Sequence, residues 1–421
     1  MALQFKAIVL CGYGQKLYPL TESTPKPLLT VANKPLISYV VDWCHQSGLS
    51  DILVLSPSSF SNQLNPLLRS HGIAYETVDD DKSANWESGD WLRHFSSLIT
   101  TDFILLPCDI IPPSTLPLSA IVQHHTTSHY NTLITSLCYY NSFDFGTREG
   151  PSPCTSIYDK TSLSMITPPT DSFDGMELRS RMLWEFPNLT LSSKLLDAHV
   201  YVLRRGVLDL LLERPQIASI REDLLPWLSK WSYQSGLSKK WNHALNIPED
   251  PFSDAIKYST MQTYASEAST HIPPQQRPRV QCYIHDPKDG VIGRANTLGG
   301  YAELNREQLR QHRPQPNVKT VAPGSLTSEN VKVGEKSLIK MSIIGRNVDI
   351  GKGCKIIGSI IADNVVIKDG AKLDNCIVCT RAKIGERATL TLCDVGGDSD
   401  VISDSECCLV PDITSLTLLI S

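Results

Sequence analysis

The C-terminal third carries a spacing that few folds can accommodate. Val333, Ile339, Ile344, Ile350, Ile356, Ile361, Ile367, Leu373, Val378, Ile384, Leu390, Val395 and Val401 are all aliphatic, and their separations repeat as six, five, six. The sum is a 17-residue period sustained over four turns. An α-helix cannot use it. Its side chains return to one face every ~3.6 residues, and here Gly334, Gly345, Gly351, Gly385 and Gly396 sit between the apolar positions. The period is that of a hexapeptide-type parallel β-helix. Each coil turns three apolar side chains to the axis, and stacking buries them together. The region spans 327–421, and its tail, "CCLVPDITSLTLLIS", is expected to cap the last coil or to pack on a partner. An open solenoid end would otherwise expose unpaired strand edges.

The rest of the 421 residues reads differently. Phe5–Cys11, Asp51–Ser56, Ile73–Val78 and Asp102–Asp109 are short, mostly apolar runs. Helical patterns alternate with them: one from Pro35 to Gly48, one around Ser61–Arg69 and one over Asn85–Leu98. Alternation of this kind predicts an α/β domain with a mostly parallel sheet, assigned to residues 1–265. Tyr140–Ser193, rich in Pro, Ser, Thr and Asp, reads as an exposed, irregular insertion. Leu195–Glu213 reads as a strand and a helix, and Ser219–Trp231 as a further amphipathic helix. Residues 266–326 read as a linker and connecting segment.

Composition narrows the function. A net charge of −5 argues against general nucleic-acid binding, which needs clustered Lys and Arg. No secretory leader or membrane-length apolar run is evident, so the twelve cysteines are expected to be reduced cytosolic thiols. Cys376 and Cys379 lack the second ligand pair that a zinc site requires and read as strand residues.

The first strand ends in a loop with two glycines, Gly12 and Gly14, and ligands of such sheets sit at the carboxyl ends of the strands. Backbone N–H groups there can face phosphate oxygens. Lys16 and Lys26 could neutralise the charge, and Asp109, after another buried strand, could hold a bridging divalent cation. By itself the pair of glycines is equally compatible with a tight turn.

The segment "GYGQKLYPLTESTPKPLLTVANKPLI" resembles the opening signature of sugar-phosphate nucleotidyltransferases. A domain of that kind followed by a left-handed β-helix resembles the GDP-mannose and ADP-glucose pyrophosphorylase type. The loop departs from that pattern. Cys11-Gly12-Tyr13-Gly14-Gln15-Lys16 stands where active members carry Gly-Gly-x-Gly-Thr/Ser-Arg. Lysine in place of the arginine loses bidentate phosphate binding. Glu87-Ser88-Gly89 falls where a base-contacting Gly-Thr-Ala is expected, and no Val-Glu-Lys-Pro element precedes Asp197. An active mannose-1-phosphate guanylyltransferase is thus the less favoured reading.

"YVVDWCHQSGLSDILVL", "LLDAHVYVLRR", "SIREDLLPWLSK" and "RANTLGGYAELNRE" are similar to the gamma-subunit family of eukaryotic translation initiation factor 2B. Asp197-Ala198-His199 replaces the Asn-Ala-Gly of active enzymes. This resemblance implies a non-catalytic, stimulatory subunit of a guanine-nucleotide exchange factor. Its implied partners are an epsilon subunit, the alpha, beta and delta subunits, and the GTPase initiation factor 2. It implies no cofactor, no metal and no catalytic residue. The loop would be a vestigial site holding GTP or ATP weakly through Gly12, Gly14, Lys16, Lys26 and Asp109.

Overall fold

Seven strands share the N-terminal sheet: β1 Lys6–Leu10, β2 Ile52–Pro57, β3 Ala74–Val78, β4 Phe103–Pro107, β5 Thr132–Tyr140, β6 Leu195–Leu203 and β7 Arg279–His285. The order is β7-β5-β6-β4-β1-β2-β3. The pairs β4/β1, β1/β2, β2/β3 and β7/β5 are parallel, and β6 alone runs against its neighbours. The computed structural model describes residues 5–128, 132–146, 148–152, 154–170, 180–234, 236–237, 240–241, 278–312 and 324–408. Helices α1 Leu36–Gln46, α2 Ser61–Ser70, α3 Ser88–His94, α4 Leu118–Ser128 and α5 Arg205–Glu213 cover the sheet. Alternate residues of β1 and β4 divide between two cores, Ile8 and Leu105 to one and Val9 and Leu106 to the other. Burial on both faces explains their unbroken apolar runs.

Three expectations need correction. The N-terminal domain does not end at residue 265, because β7 pairs with β5 from Arg279 to His285. The insertion is not irregular throughout. Thr155–Asp159, Met165–Thr170 and Leu189–Ser192 form an antiparallel sheet, and Ile157, Ile166, Met182, Phe186 and Tyr233 give it a small core. Ser219–Trp231 is not one regular helix. It opens with a wide turn at Ile220–Leu224, continues as α-helix over Leu225–Ser229 and tightens at Lys230–Ser232. Pro226 cannot donate the backbone hydrogen bond that a regular helix needs there.

The C-terminal region is a three-sided parallel β-helix whose three five-stranded sheets each collect one strand per coil. Ile339 lies over Ile356, Leu373 and Leu390; Ile344 over Ile361, Val378 and Val395; and Ile350 over Ile367 and Ile384. These side chains are buried along the axis, as the period predicted. Each corner is turned by a residue at positive φ. One corner is occupied by Asn330, Asn347, Asn364, Arg381 and Asp398, all between 55° and 61°. Asparagine tolerates this conformation better than most residues. The Asn330 amide donates to Asn347, and that of Asn347 to Asn364, at 3.2 Å each. The ladder then changes chemistry, and Arg381 grips Asp398 with two hydrogen bonds at 2.5 and 2.6 Å. The tail beyond residue 408 lies outside the described residues.

The segment that carries the transferase signature joins the two domains. Leu17, Leu20, Leu29, Val31 and Leu36 pack with Tyr301, Ala302 and Leu304 of helix α6 (Leu298–His312) and with Ile360, Ile377 and Cys379 of the β-helix. Polar ties lock the joint. Asn33 donates to the Ile344 carbonyl at 3.1 Å, and Arg148 donates to the Asn375 carbonyl and to Asp394 at 2.8 and 2.7 Å.

Candidate functional site

Strands β1 and β4 lie side by side, with Leu10 opposite Pro107, so the glycine loop and Asp109 emerge together. Within the loop, Gly14 alone is required by its backbone. Its φ is 75°, and a Cβ there would stand 3.0 Å from the Lys26 stem. A Cβ at Gly12 would meet nothing. Tyr13, the bulky intruder, fastens the loop down. Its ring packs edge-on against Phe60, and its hydroxyl donates to Asp80 at 3.0 Å. Asp80 also accepts from the Ser59 hydroxyl at 3.0 Å. It is therefore a structural acceptor.

Asp109 is not free to hold a metal. It is fully buried, Lys26 approaches one oxygen at 2.6 Å, and Arg294 bridges both oxygens at 3.0 Å. Burial alone would raise its carboxyl, but Arg294 and Lys26 outweigh that and hold it well below the usual carboxylate range. Lys26 is correspondingly committed to Asp109 rather than to a phosphate. Of the two loop lysines only Lys16 stays exposed. It pairs with no carboxylate among the described residues and lines a cavity of about 90 Å³ with Asn141, Arg221, Arg294 and Thr297.

Beside it, a cavity of about 300 Å³ is lined by Gly12, Lys26, Ser88, His199, Arg221 and Arg294. His199 holds φ at 55° next to a register shift in β6. A glycine would adopt this left-handed backbone without strain. The position that carries Gly in the Asn-Ala-Gly of active enzymes is thus one that glycine would suit, while here an imidazole stands at the cleft. Burial, then Arg294 and Arg221, depresses the His199 pKa well below the usual value, so the ring is neutral at pH 7. Burial raises Asp197, which accepts from the Tyr201 hydroxyl and the His199 N–H. On the far side, the Glu87-Ser88-Gly89 element is latched. Ser88 accepts from the Ile220 N–H at 2.9 Å, and Gly89 donates to the Ala218 carbonyl at 2.6 Å. The exposed Glu87 lines the opening.

Gly12, Lys26 and Asp109 line one cavity, and Lys16 lines the one beside it. Arg294, Arg221 and the latch at Ala218–Ile220 were missed. Arg294 had one visible signal: it opens the "RANTLGG" segment. Among the described residues no cluster of His, Cys, Asp and Glu could hold a metal ion, and Cys376 and Cys379 are free, buried thiols. No helix of the described residues is long and apolar enough to cross a membrane.

A nucleotidyltransferase-type domain joined to a β-helix defines the class, and comparison with known proteins agrees. Residues 6–142 match the model described as nucleotidyl transferase, and residues 316–405 match the eIF2B subunit epsilon LbH domain, a left-handed β-helix. The chain is 32% identical over 358 residues to translation initiation factor eIF2B subunit gamma of Schizosaccharomyces pombe, covering 80% of this chain and 73% of that protein. It is 28% identical over 367 residues to the subunit of the same name from Caenorhabditis elegans, covering 80% of each. A shorter likeness, 36% over 84 residues, links it to choline-phosphate cytidylyltransferase of Streptococcus pneumoniae, covering 20% of this chain and 35% of that enzyme. This chain belongs to the eIF2B gamma-subunit family.

Proposed function

We propose that the chain is a non-catalytic, stimulatory subunit of the cytosolic eIF2B guanine-nucleotide exchange complex, and that its cleft performs no nucleotidyl transfer. The observation that carries the second half is Asp109, whose carboxylate is consumed by Lys26 and Arg294. Transfer chemistry needs charge stabilisation reserved for the transition state, and here the groups that would supply it neutralise one another. Any GTP or ATP held at the cleft is a weakly bound ligand gripped by Lys16, not a substrate. The partners are the epsilon subunit, the alpha, beta and delta subunits, and the GTPase initiation factor 2.

Exchange needs no bond chemistry. A factor that weakens GDP on its GTPase is weakened by GDP in return, with coupling of roughly 1–3 kcal/mol. A subunit contributes by presenting rigid surfaces, and the packed joint between sheet and β-helix supports that role. The test is affinity purification of the tagged chain from its own cells, with native mass and a GDP-release assay with and without it. Co-purification with the other subunits and a slower exchange rate in its absence are expected. Recovery as a lone homo-oligomer that releases pyrophosphate from GTP and mannose-1-phosphate would establish the transferase reading instead.

A further inference from the structure

The β-helix divides its surface charge unevenly. On one face and the corner leading into it, the first three coils expose Lys336, Lys340, Lys352, Lys355, Lys368 and Lys372 against three exposed carboxylates, Glu335, Asp369 and Asp374. None of the six pairs with a carboxylate among the described residues. Lys355 lies directly over Lys372 in the parallel register, so two ammonium groups stack one strand apart, at a spacing of about 4.8 Å between backbones. Like charges placed directly opposite destabilise a sheet. The following coils avoid this arrangement. There each stacked cation has a carboxylate 17 residues on: Arg381 with Asp398, Lys383 with Asp400 and Arg387 with Asp404. The same scaffold can therefore neutralise its ladders internally, and on the lysine face it does not.

The geometry points to this face, centred on Lys355 and Lys372, as a docking surface for an acidic segment of another protein. The inference rests on the reading of the chain as a subunit of a larger assembly. Acidic protein is favoured over nucleic acid by composition. Residues 326–408 contain no Phe, Tyr or Trp, so the face offers no ring on which a base could stack. One sheet of the β-helix is already occupied, because Ile360 and Ile377 pack on the N-terminal domain, whereas all six lysines are exposed.

The test uses the assembled complex purified from cells that express the full chain. A zero-length carbodiimide couples lysines to carboxylates in direct contact, and mass spectrometry reads the products. Links from Lys355 or Lys372 to Asp or Glu of a different polypeptide are expected, and they should fade in 0.5 M salt, where screening is strong. The double variant Lys355→Glu/Lys372→Glu should weaken the linked partner by about tenfold or more at 0.1 M salt. Lys355→Thr/Lys372→Thr, which copies Thr389 of the next coil, should weaken it less. Unchanged melting of both variants would show that the fold is intact. Links to a second copy of this chain, photo-crosslinks to RNA, or charge-reversed complexes that bind like wild type would each overturn the proposal. Recovery of the wild-type chain alone would instead overturn the subunit reading, and this inference with it.

Discussion

Breaking the buried charge triad should separate its structural role from any catalytic one. Asp109 is 0% exposed, and Lys26 and Arg294 are 12% and 11% exposed. Removing one partner of a buried ion pair costs about 3–5 kcal/mol, because the remaining charge stays desolvated. Arg294→Met leaves Asp109 with Lys26, so its cost should fall at about 3 kcal/mol. Asp109→Leu strands two cations at once and should cost about 5 kcal/mol. Replacing all three with Met, Leu and Met removes every charge and should cost much less than the sum of the single changes. The assay is urea unfolding followed by tryptophan fluorescence. All seven tryptophans lie between residues 43 and 241, so the signal reports the N-terminal domain and not the β-helix. Acid adds a second reading. The folded Asp109 pKa is depressed, so its contribution is present above the unfolded value of about 3.9 and is lost as pH falls through the lower folded value. Arg294→Met should move that loss to higher pH. Single-variant costs below about 1 kcal/mol, or strict additivity in the triple variant, would refute the reasoning.

Three further outcomes are expected. His125 is buried against Thr135 at 2.8 Å, and burial first, then Arg204 and His124, holds its pKa down to about 3. Below the unfolded value of about 6.5 only the unfolded chain takes up this proton, so stability should fall by about 2 kcal/mol between pH 6.5 and 5; thermal melts of His125→Gln should show a flatter slope. His199→Gly should lie within about 1 kcal/mol of wild type, since glycine fits its positive φ, whereas His199→Val should cost more than 2 kcal/mol because a β-branched residue resists that backbone. Leu373→Ala should lower β-helix stability by about 2–5 kcal/mol in far-ultraviolet circular dichroism melts, because Leu373 is enclosed by its neighbours above and below in the stack.

Legibility followed the range of the interactions. The β-helix was readable because each coil repeats the demand of the one before, so Ile356, Leu373 and Leu390 announce one another at fixed spacing. Strands β1, β2 and β4 were readable from local apolar runs. The domain boundary failed at β7, since "VQCYIHD" is a strand whose partner β5 lies some 140 residues earlier in the chain, a pairing that no local pattern contains. The cleft failed for the same reason. Gly12, Gly14, Lys16, Lys26 and Asp109 were placed together from strand ends, but Arg294 reaches Asp109 across 185 residues. The histidine at position 199 marked a departure from Asn-Ala-Gly, while the left-handed backbone beneath it could be seen only in three dimensions.

These departures share a direction. Tyr13 clamps the loop to Asp80, Ser88 is latched to Ile220, and Arg294 draws Asp109 to the helix-bearing segment that also packs on the β-helix. On the proposed reading, each ties up a group that transfer would need free: the glycine loop, the Glu87-Ser88-Gly89 element or the Asp109 carboxylate. Each also adds a contact that stiffens the domain. A transferase must keep polar groups unpaired until its substrate arrives, and holding such groups in a buried cleft costs stability. An exchange subunit has no substrate to wait for, so pairing those groups internally carries no functional penalty. If the cleft performs no transfer, as proposed, loss of chemistry and gain of rigidity are one process. Restoring a metal-binding carboxylate at Asp109 should then always loosen the joint, whichever partner is removed.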